Sequence, residues 1–319
     1  MSIFPTKILL ATDGSKDAWL ATNTAILLAM VTRSELHVVN VGFVAPPLLK
    51  PLDVELTRAE KEARRVLDEE VKNIENAGGT VARSHVRMAD VAQEIVDLAE
   101  EQKVGLIAVG SRGRSRIKRA LMGSVSDSVV RYAHCPVLVA RWKPLIFPAR
   151  ILVATDGSEE ATLAAKTAAE LAHRTYSELH LASVADAYSS YYDVHKPGLV
   201  KNLRQRAQEV LDDQVKKIEQ SGGKVAGKHV SLSERHPAEG IVQVAEEAEA
   251  DLIVMGSRGL GGIRRALMGS VSDSVVRHAH CPVLVVRNEH RQTQQLSGEA
   301  SSSAGRGAVR YKPPARVRR

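Results

Sequence analysis

The feature that most constrains this chain is an internal repeat with a period of about 145 residues. The segment Lys7 to Ser15 (KILLATDGS) returns as Arg150 to Ser158 (RILVATDGS), and a glycine motif that begins at Gly110 returns at Gly256. Solenoid units span only about 20–45 residues, whereas a period of this length has the size of a whole domain. The 319-residue chain is therefore expected to contain two copies of one domain.

Within each copy, short apolar runs alternate with longer segments of helical character. In the first copy, strands are predicted over 7–12, 35–41, 80–86, 104–109 and 136–140, and helices over 15–32, 53–77, 91–102 and 124–133. Strands joined by helices of this length need crossover connections, which give a mostly parallel sheet covered by helices. The expected fold class is therefore α/β: two tandem Rossmann-like domains, each a five-stranded, mostly parallel sheet with helices on both faces.

Composition changes sharply near the end of the chain. We expect a first domain over 1–142, a linker over 143–149, a second domain over 150–287 and a disordered basic tail over 288–319. The tail holds seven Lys and Arg residues against two Glu residues, so it carries +5 of the net charge of +7. The basic charge that would suggest a nucleic-acid partner therefore belongs to the tail and not to the domains.

Several classes of protein are disfavoured by composition. No apolar run approaches the ~20 residues of a membrane span, and the first residues lack the apolar core of a signal peptide. The two cysteines, Cys135 and Cys281, are too few for a disulfide framework. We expect a cytoplasmic protein that does not associate with membranes.

Glycines follow the fourth predicted strand in both copies. Gly110-Ser111-Arg112-Gly113 is followed, after nine residues, by Gly123-Ser124-Val125. Gly256-Ser257-Arg258-Gly259 and Gly269-Ser270-Val271 repeat this spacing. Glycine at a strand-to-helix junction allows a sharp turn or the close approach of a ligand, and tight turns alone are the alternative explanation.

An aspartate follows the first strand of each copy. In doubly wound sheets, ligands bind beyond the carboxyl ends of the strands, where the strand order reverses. If strands one and four are neighbours there, Asp13 and the glycine motif face one cleft, although Asp13 and Asp156 could instead cap helices. A helix beginning at Ser124 would point free backbone N–H groups into that cleft, which favours a phosphate.

The spacing Gly-x2-Gly-x9-Gly-Ser, the opening Ile-Leu-x-Ala-Thr-Asp-Gly-Ser and the ending His-Cys-Pro-Val-Leu-Val each occur twice. Together they resemble the universal stress protein family, and its ATP-binding members in particular, over 5–142 and 148–287. The resemblance implies adenine nucleotide alpha-hydrolase-like domains and one ATP site per domain. It also implies a role as a stress-linked sensor or regulator.

The resemblance assigns corresponding binding residues to the two copies. In the first domain they are Ala11, Asp13, Val41, Gly110, Ser111, Arg112, Gly113, Gly123, Ser124 and Val125. In the second domain they are Ala154, Asp156, Val184, Gly256, Ser257, Arg258, Gly259, Gly269, Ser270 and Val271. Asp13 and Asp156 could each hold a magnesium ion with the ATP. Because Arg114-Ser-Arg116 becomes Leu260-Gly-Gly262, the first site is expected to be the more basic one.

We expect a binding protein and assign no catalytic residue, because no nucleophile–base pair or carboxylate cluster accompanies the glycine motifs. A slow ATPase or nucleotidyl-transferring enzyme is one alternative, and a nucleic-acid-binding protein that acts through its tail is a less favoured one. The final strands, 136–140 and 282–286, would be apolar edges that need cover. Their pairing would give an intrachain pseudo-dimer, as between family subunits, and dimerisation of whole chains is left open.

Overall fold

The computed structural model describes residues 4, 6–43, 52–113, 122–142, 148–186, 198–260 and 268–287. Residues 1–287 form one compact unit. Most of the expected linker, the tail after Arg287, and the spacer arginines Arg114 and Arg116 lie outside the described residues.

Strands and helices alternate through both halves of the chain. The first half contains β1 (Lys7–Ala11), α1 (Lys16–Thr32), β2 (Glu35–Gly42), α2 (Leu52–Asn76), β3 (Arg83–Met88), α3 (Val91–Glu101), β4 (Leu106–Gly110), α4 (Ser124–Tyr132) and β5 (Val137–Ala140). The second half contains β6 (Arg150–Ala154), α5 (Glu159–Thr175), β7 (Glu178–Asp186), α6 (Leu199–Gln220), β8 (Gly227–Ser233), α7 (Pro237–Glu247), β9 (Leu252–Gly256), α8 (Ser270–His278) and β10 (Val283–Val286). The predicted α/β class is confirmed.

One predicted strand is misplaced. The sequence predicts β3 over 80–86, but the strand begins three residues later, at Arg83. The amide of Gly79 still donates to the carbonyl of Ile74 in the last turn of α2, and the chain then crosses to the sheet edge. The amide of Ala82 makes the first hydrogen bond to β2, to the carbonyl of Leu36, and strand pairing begins where Arg83 lies opposite His37. Apolar character at 80–82 therefore marks the crossing and not the strand.

The strands form one continuous sheet in the order β3-β2-β1-β4-β5-β10-β9-β6-β7-β8. Within each half the pairing is parallel, and β1 lies between β2 and β4. This neighbour relation places the end of β1 beside the end of β4, as the cleft prediction requires. The halves join through antiparallel pairing of β5 with β10, with Leu138 opposite Leu284, which confirms the predicted pairing of the final strands.

The buried apolar residues form one cluster on each face of the sheet. Alternation along β1 sends Ile8 and Leu10 to the face covered by α1 and α2, and Leu9 to the face covered by α3 and α4. Both clusters continue into the second half, so the two domains share their core. Among the described helices, none is long and apolar enough to cross a membrane.

Two buried arginines strengthen the junction of the halves. Arg287 follows β10 and donates to carbonyls at the end of α4 in the other half, those of Val130, Arg131 and Ala133. Arg141 follows β5 and donates in the same way to Val276 of α8. Burial lowers the pKa of Arg287 to about 10. A cation is favourable at a helix C-terminus, so each half helps to stabilise a helix of the other.

Candidate functional site

A cleft opens at the carboxyl ends of the strands in each half of the sheet. The cleft of the first half has a volume of about 540 Å³, and that of the second half has a volume of about 720 Å³. Both volumes lie within the usual range of roughly 300–1,000 Å³ for small-molecule sites. Each cleft lies where the order of the strands reverses, which is where doubly wound sheets bind ligands.

Nine of the ten predicted residues line the cleft in each half. In the first half they are Ala11, Asp13, Val41, Gly110, Arg112, Gly113, Gly123, Ser124 and Val125. In the second half they are Ala154, Asp156, Val184, Gly256, Arg258, Gly259, Gly269, Ser270 and Val271. Fold topology therefore brings together residues that are about one hundred positions apart in the sequence.

The tenth predicted residue of each set, Ser111 or Ser257, does not line the cleft. Both serines are 1% exposed. The hydroxyl of Ser111 donates to Oδ2 of Asp17 at 2.8 Å, and that of Ser257 donates to Oε2 of Glu160 at 2.6 Å. The structure therefore places these two serines behind the loop, where they fix it to the first helix of the domain.

Sequence reasoning missed Asp17 and Glu160, which orient the arginines of the clefts. Nε of Arg112 lies 3.3 Å from Oδ2 of Asp17. Arg258 is held more firmly, because Nε and Nη2 lie 2.9 and 2.8 Å from Oε1 of Glu160 and its backbone amide donates to Oε2. The available signal was an acidic residue at the same position of both repeats, 143 residues apart.

Close packing inside the protein explains why the first two residues of each motif are glycines. A Cβ at Gly110 would lie 2.6 Å from the carbonyl carbon of Asp17, so this glycine lets β4 approach α1. A Cβ at Gly113 would lie 2.5 Å from Oδ2 of Asp13, so this glycine makes room for the aspartate across the cleft. Gly256 and Gly259 are crowded by Glu160 and Asp156 in the same manner.

Close packing does not explain the third glycine of the first motif, Gly123. Its φ of −77° suits any residue, and the nearest atoms to an added Cβ would be 3.5 Å away. It is the N-cap of α4, yet no side chain caps that helix, whereas Ser15 caps α1 by accepting from Ala18 N. Gly269 of α8 is equally uncapped and differs only slightly in its nearest contact, at 3.3 Å. Two helices thus direct uncapped N–H groups toward the clefts.

A serine in the first turn holds each of these helix starts in place. The hydroxyl of Ser126 lies within hydrogen-bond distance of the carbonyls of Ser111 and Gly123, at 2.9 and 3.0 Å. Ser272 makes the corresponding contacts with Ser257 and Gly269. Hydrogen bonds within the protein therefore fix the loop end and the helix start relative to each other.

The aspartates at the end of the first strands are not helix caps. Ser15 and Ser158 cap α1 and α5, so the alternative role considered for Asp13 and Asp156 is not the one found. Oδ1 of each aspartate accepts instead from the amide two residues later, at 3.0 Å. Each carboxylate is thereby directed toward its glycine motif, and Oδ2 of Asp156 accepts from the amide of Leu260.

The end of each cleft away from the glycine motif is lined largely by apolar residues, beside Glu62 in the first half and Asp186 in the second. In the first half, Val41 is accompanied by Val91 and Ile95 from α3 and by Val66 from α2. In the second half, Val184 is accompanied by Pro237 and Ile241 from α7. Sequence reasoning missed the contribution of the helices that follow β3 and β8. Each cleft thus combines an apolar end with an end rich in backbone N–H donors.

The metal expectation rests on one carboxylate at each position. Within the described ranges, no three His, Cys, Asp or Glu residues are grouped so that they could hold a metal ion. A magnesium ion beside Asp13 or Asp156 would therefore have to draw its remaining ligands from water and from the bound molecule.

Comparisons with known proteins agree with this architecture. The model of the universal stress protein family matches residues 5–141 and 149–287. Universal stress protein Rv2005c of Mycobacterium tuberculosis is 31% identical over 294 residues, which cover 88% of this chain and 96% of the relative. Universal stress protein Rv2623 of the same species is 31% identical over 295 residues, with the same coverages.

A solved structure shows the same architecture. The crystal structure of a universal stress protein from Archaeoglobus fulgidus superposes with a TM-score of 0.67 at 28% identity. The match covers 88% of this chain and 98% of that one, so it includes both halves. The chain therefore belongs to the universal stress protein family and carries two family domains in tandem.

Proposed function

We propose that this protein binds one ATP molecule in each domain and acts as a nucleotide-dependent regulator in a stress response. The apolar end of each cleft would take the adenine, and the N-terminus of α4 or α8 would take the phosphates. This orientation follows from the chemistry of the two ends, because phosphates need donors and an adenine ring needs apolar contact.

The observation that carries the proposal is the uncapped glycine at the start of α4 and of α8. Neither the backbone conformation at position 123 nor the packing around it requires a glycine. A helix without a side-chain cap leaves its first-turn N–H groups without partners, which a phosphate can satisfy. Each such contact contributes about 0.3–1 kcal/mol, and more when it is sheltered from water.

The proposal includes little or no hydrolysis. Among the described residues that line the two clefts, there is no histidine or lysine to act as a general base. Asp13 and Asp156 are already engaged with backbone amides, those of Ser15 and Ser158. The protein would then respond to ATP by holding it, and regulation would follow occupancy.

The test is to identify and count the bound nucleotide. The purified full chain is denatured by heat, and the released nucleotide is separated by chromatography and quantified against protein. Nucleotide-free protein is then titrated with ATP, ADP and GTP by calorimetry. The proposal predicts two ATP sites per chain in the titration and a preference for adenine over guanine.

Two results would count against the proposal. Absence of ATP binding at millimolar concentration would show that the clefts serve another ligand. Complete conversion of bound ATP to ADP within minutes, continuing over many turnovers, would instead identify an enzyme. Gly123→Ala serves as a control. If this variant releases less nucleotide or turns over less ATP than the wild type, the difference is assigned to the first cleft.

A further inference from the structure

Four charged side chains meet where α4 of the first domain approaches α8 of the second. Asp127 and Arg131 belong to α4, and Asp273 and Arg277 belong to α8. Each arginine pairs with the aspartate four residues earlier on its own helix, with an Nε to Oδ2 distance of 3.0 Å in both cases. Each also pairs with the aspartate of the other domain, and Nη2 of Arg131 lies 2.6 Å from Oδ1 of Asp273. We call these residues the four-charge cluster.

The cluster lies beside the helix starts that face the clefts. Asp127 and Asp273 are in the first turns of α4 and α8. Asp273 is three residues after Ser270, which corresponds to about 4.5 Å along the helix axis. Arg131 and Asp273 both line the cleft of the second domain. Residue Arg131 is therefore supplied to the second cleft by the first domain.

Among the described residues, the second cleft has few other cations for a polyphosphate. Its described lining contains one further basic side chain, Arg258, which is engaged with Glu160. The same lining contains the carboxylates of Asp156, Asp186 and Asp273. The spacer of this domain also has Leu260-Gly-Gly262 where the first domain has two arginines. The charged side chains of this described lining, two arginines against three aspartates, carry a net charge of −1, and without Arg131 a triphosphate would face a net charge of −2.

We propose that Arg131 is a phosphate-binding residue of the second domain's site and favours nucleotides with terminal phosphates. This inference rests on the proposed function. A phosphate held at the start of α8 lies close to the Arg131–Asp273 ion pair. The Arg131 side chain is 38% exposed, and its guanidinium exchanges one of its contacts with Asp273 for a charge-assisted contact with a phosphate oxygen.

The exchange predicts selectivity by phosphate number. ATP reaches the guanidinium with its terminal phosphates, whereas AMP has no phosphate beyond the one at the sugar. Charge-assisted hydrogen bonds are roughly twice as strong as neutral ones, and partial exposure reduces the gain. Loss of Arg131 should therefore weaken ATP binding at the second site by about tenfold and leave AMP binding unchanged.

The experiment compares Arg131→Gln with Arg277→Gln in the full chain. Both substitutions remove one ion pair within a helix and one between the domains, but Arg277 is not among the described residues that line the first cleft. Calorimetric titrations with ATP and AMP measure both sites. A tenfold loss for ATP in one of the two sites, seen only with Arg131→Gln, supports the proposal.

Asp273→Asn separates a ligand role from a structural one. Because the loss of the Asp273 carboxylate favours a phosphate whatever Arg131 does, this variant is compared in the wild-type and the Arg131→Gln background. If Arg131 binds phosphate, Asp273→Asn also frees the guanidinium, so ATP binding tightens more in the wild-type background than in Arg131→Gln. An equal change in both backgrounds would contradict a ligand role. Thermal unfolding of each variant without nucleotide verifies that it is folded.

Two outcomes overturn the inference while leaving the proposed function intact. One is unchanged ATP affinity at both sites in Arg131→Gln, and the other is an equal loss for ATP and AMP. If the wild-type chain binds no ATP at all, the proposed function fails with it. Wild-type titration is therefore read first, and it distinguishes the two failures.

Discussion

Replacement of Gly123 by alanine tests whether a glycine is needed at this position for ligand binding or for the fold. The added methyl group would meet no protein atom closer than 3.5 Å, which is ordinary van der Waals contact. The backbone at φ −77° and ψ 154° is equally accessible to alanine. Packing and strain therefore contribute almost nothing, and the remaining penalty is the poorer N-cap propensity of alanine, about 0.5–1 kcal/mol.

A penalty of this size should lower the unfolding temperature of the nucleotide-free protein by only about 1–2 °C. ATP binding should suffer far more, because the methyl group occupies the approach to the first-turn N–H groups of α4. We expect at least a tenfold loss of affinity, about 1.4 kcal/mol, at one of the two sites. Gly269→Ala should affect the other site, with a slightly larger stability cost because its closest contact is 3.3 Å.

The assay pairs differential scanning calorimetry without nucleotide with ATP titration of the same samples. Gly110→Ala is the contrasting variant, because its Cβ would lie 2.6 Å from backbone atoms of Asp17. Overpacking of this kind typically lowers the free energy of unfolding by about 1–3 kcal/mol, so Gly110→Ala should lose more stability than Gly123→Ala. If Gly123→Ala binds ATP with wild-type affinity at both sites, the argument from the uncapped glycine is refuted.

Three further predictions concern the stability of the fold. Burial raises the pKa of the Glu70 carboxyl, so its ionised form destabilises the folded protein at neutral pH. Glu70→Gln should therefore raise the unfolding temperature at pH 7, and this gain should vanish below about pH 4, where the carboxyl is protonated in both states. A glutamine, Gln214, already occupies the corresponding buried position of α6, and an unchanged difference across this pH range would contradict the assignment. Tyr176 is 96% exposed and adopts a left-handed φ of 58°, so Tyr176→Gly should stabilise the protein by about 0.5–1 kcal/mol in urea denaturation, and a loss of stability would contradict this. Arg287→Ala should lower the free energy of unfolding by about 2–4 kcal/mol, because it leaves buried carbonyls of α4 without their donor. The exposed control Arg235→Ala should change it by less than about 0.5 kcal/mol. Equal effects of the two substitutions would refute the role of Arg287 at the junction.

Much of the fold could be predicted because the repeat provides each signal twice. Alternating apolar runs and helices were enough for the α/β class, whereas the pairing of the apolar final strands was predicted with the help of the family resemblance. The position of β3 could not be fixed, since an edge strand with one exposed face has little apolar alternation, and only its hydrogen bonds to β2 define its start. Boundaries of such elements depend on tertiary pairing.

The candidate site was predicted less completely than the fold. Motif spacing indicated which residues would meet, but it did not distinguish glycines that serve packing, such as Gly110, from those that do not, such as Gly123. Ser111 also shows this limit, because a small polar residue inside a glycine motif can support the loop instead of lining the cleft. These roles depend on the distance to α1, which the sequence does not contain.

Contacts between the domains were the least predictable feature. The pair Arg131 and Asp273 is separated by 142 residues and exists only because β5 pairs with β10. Neither residue belongs to a motif, and both would be interpreted as solvated charges on a short helix. Where two repeats pack against each other, one domain can therefore supply a residue to the cleft of its neighbour, as Arg131 does for the second cleft.

The most direct test of the central claim is a crystal structure of the full chain with a non-hydrolysable ATP analogue. The account predicts phosphates at the first turns of α4 and α8, within about 3 Å of backbone N–H groups, and adenine rings against Val41 and Val184. Electron density for the analogue elsewhere, or empty clefts at saturating concentration, would contradict the account.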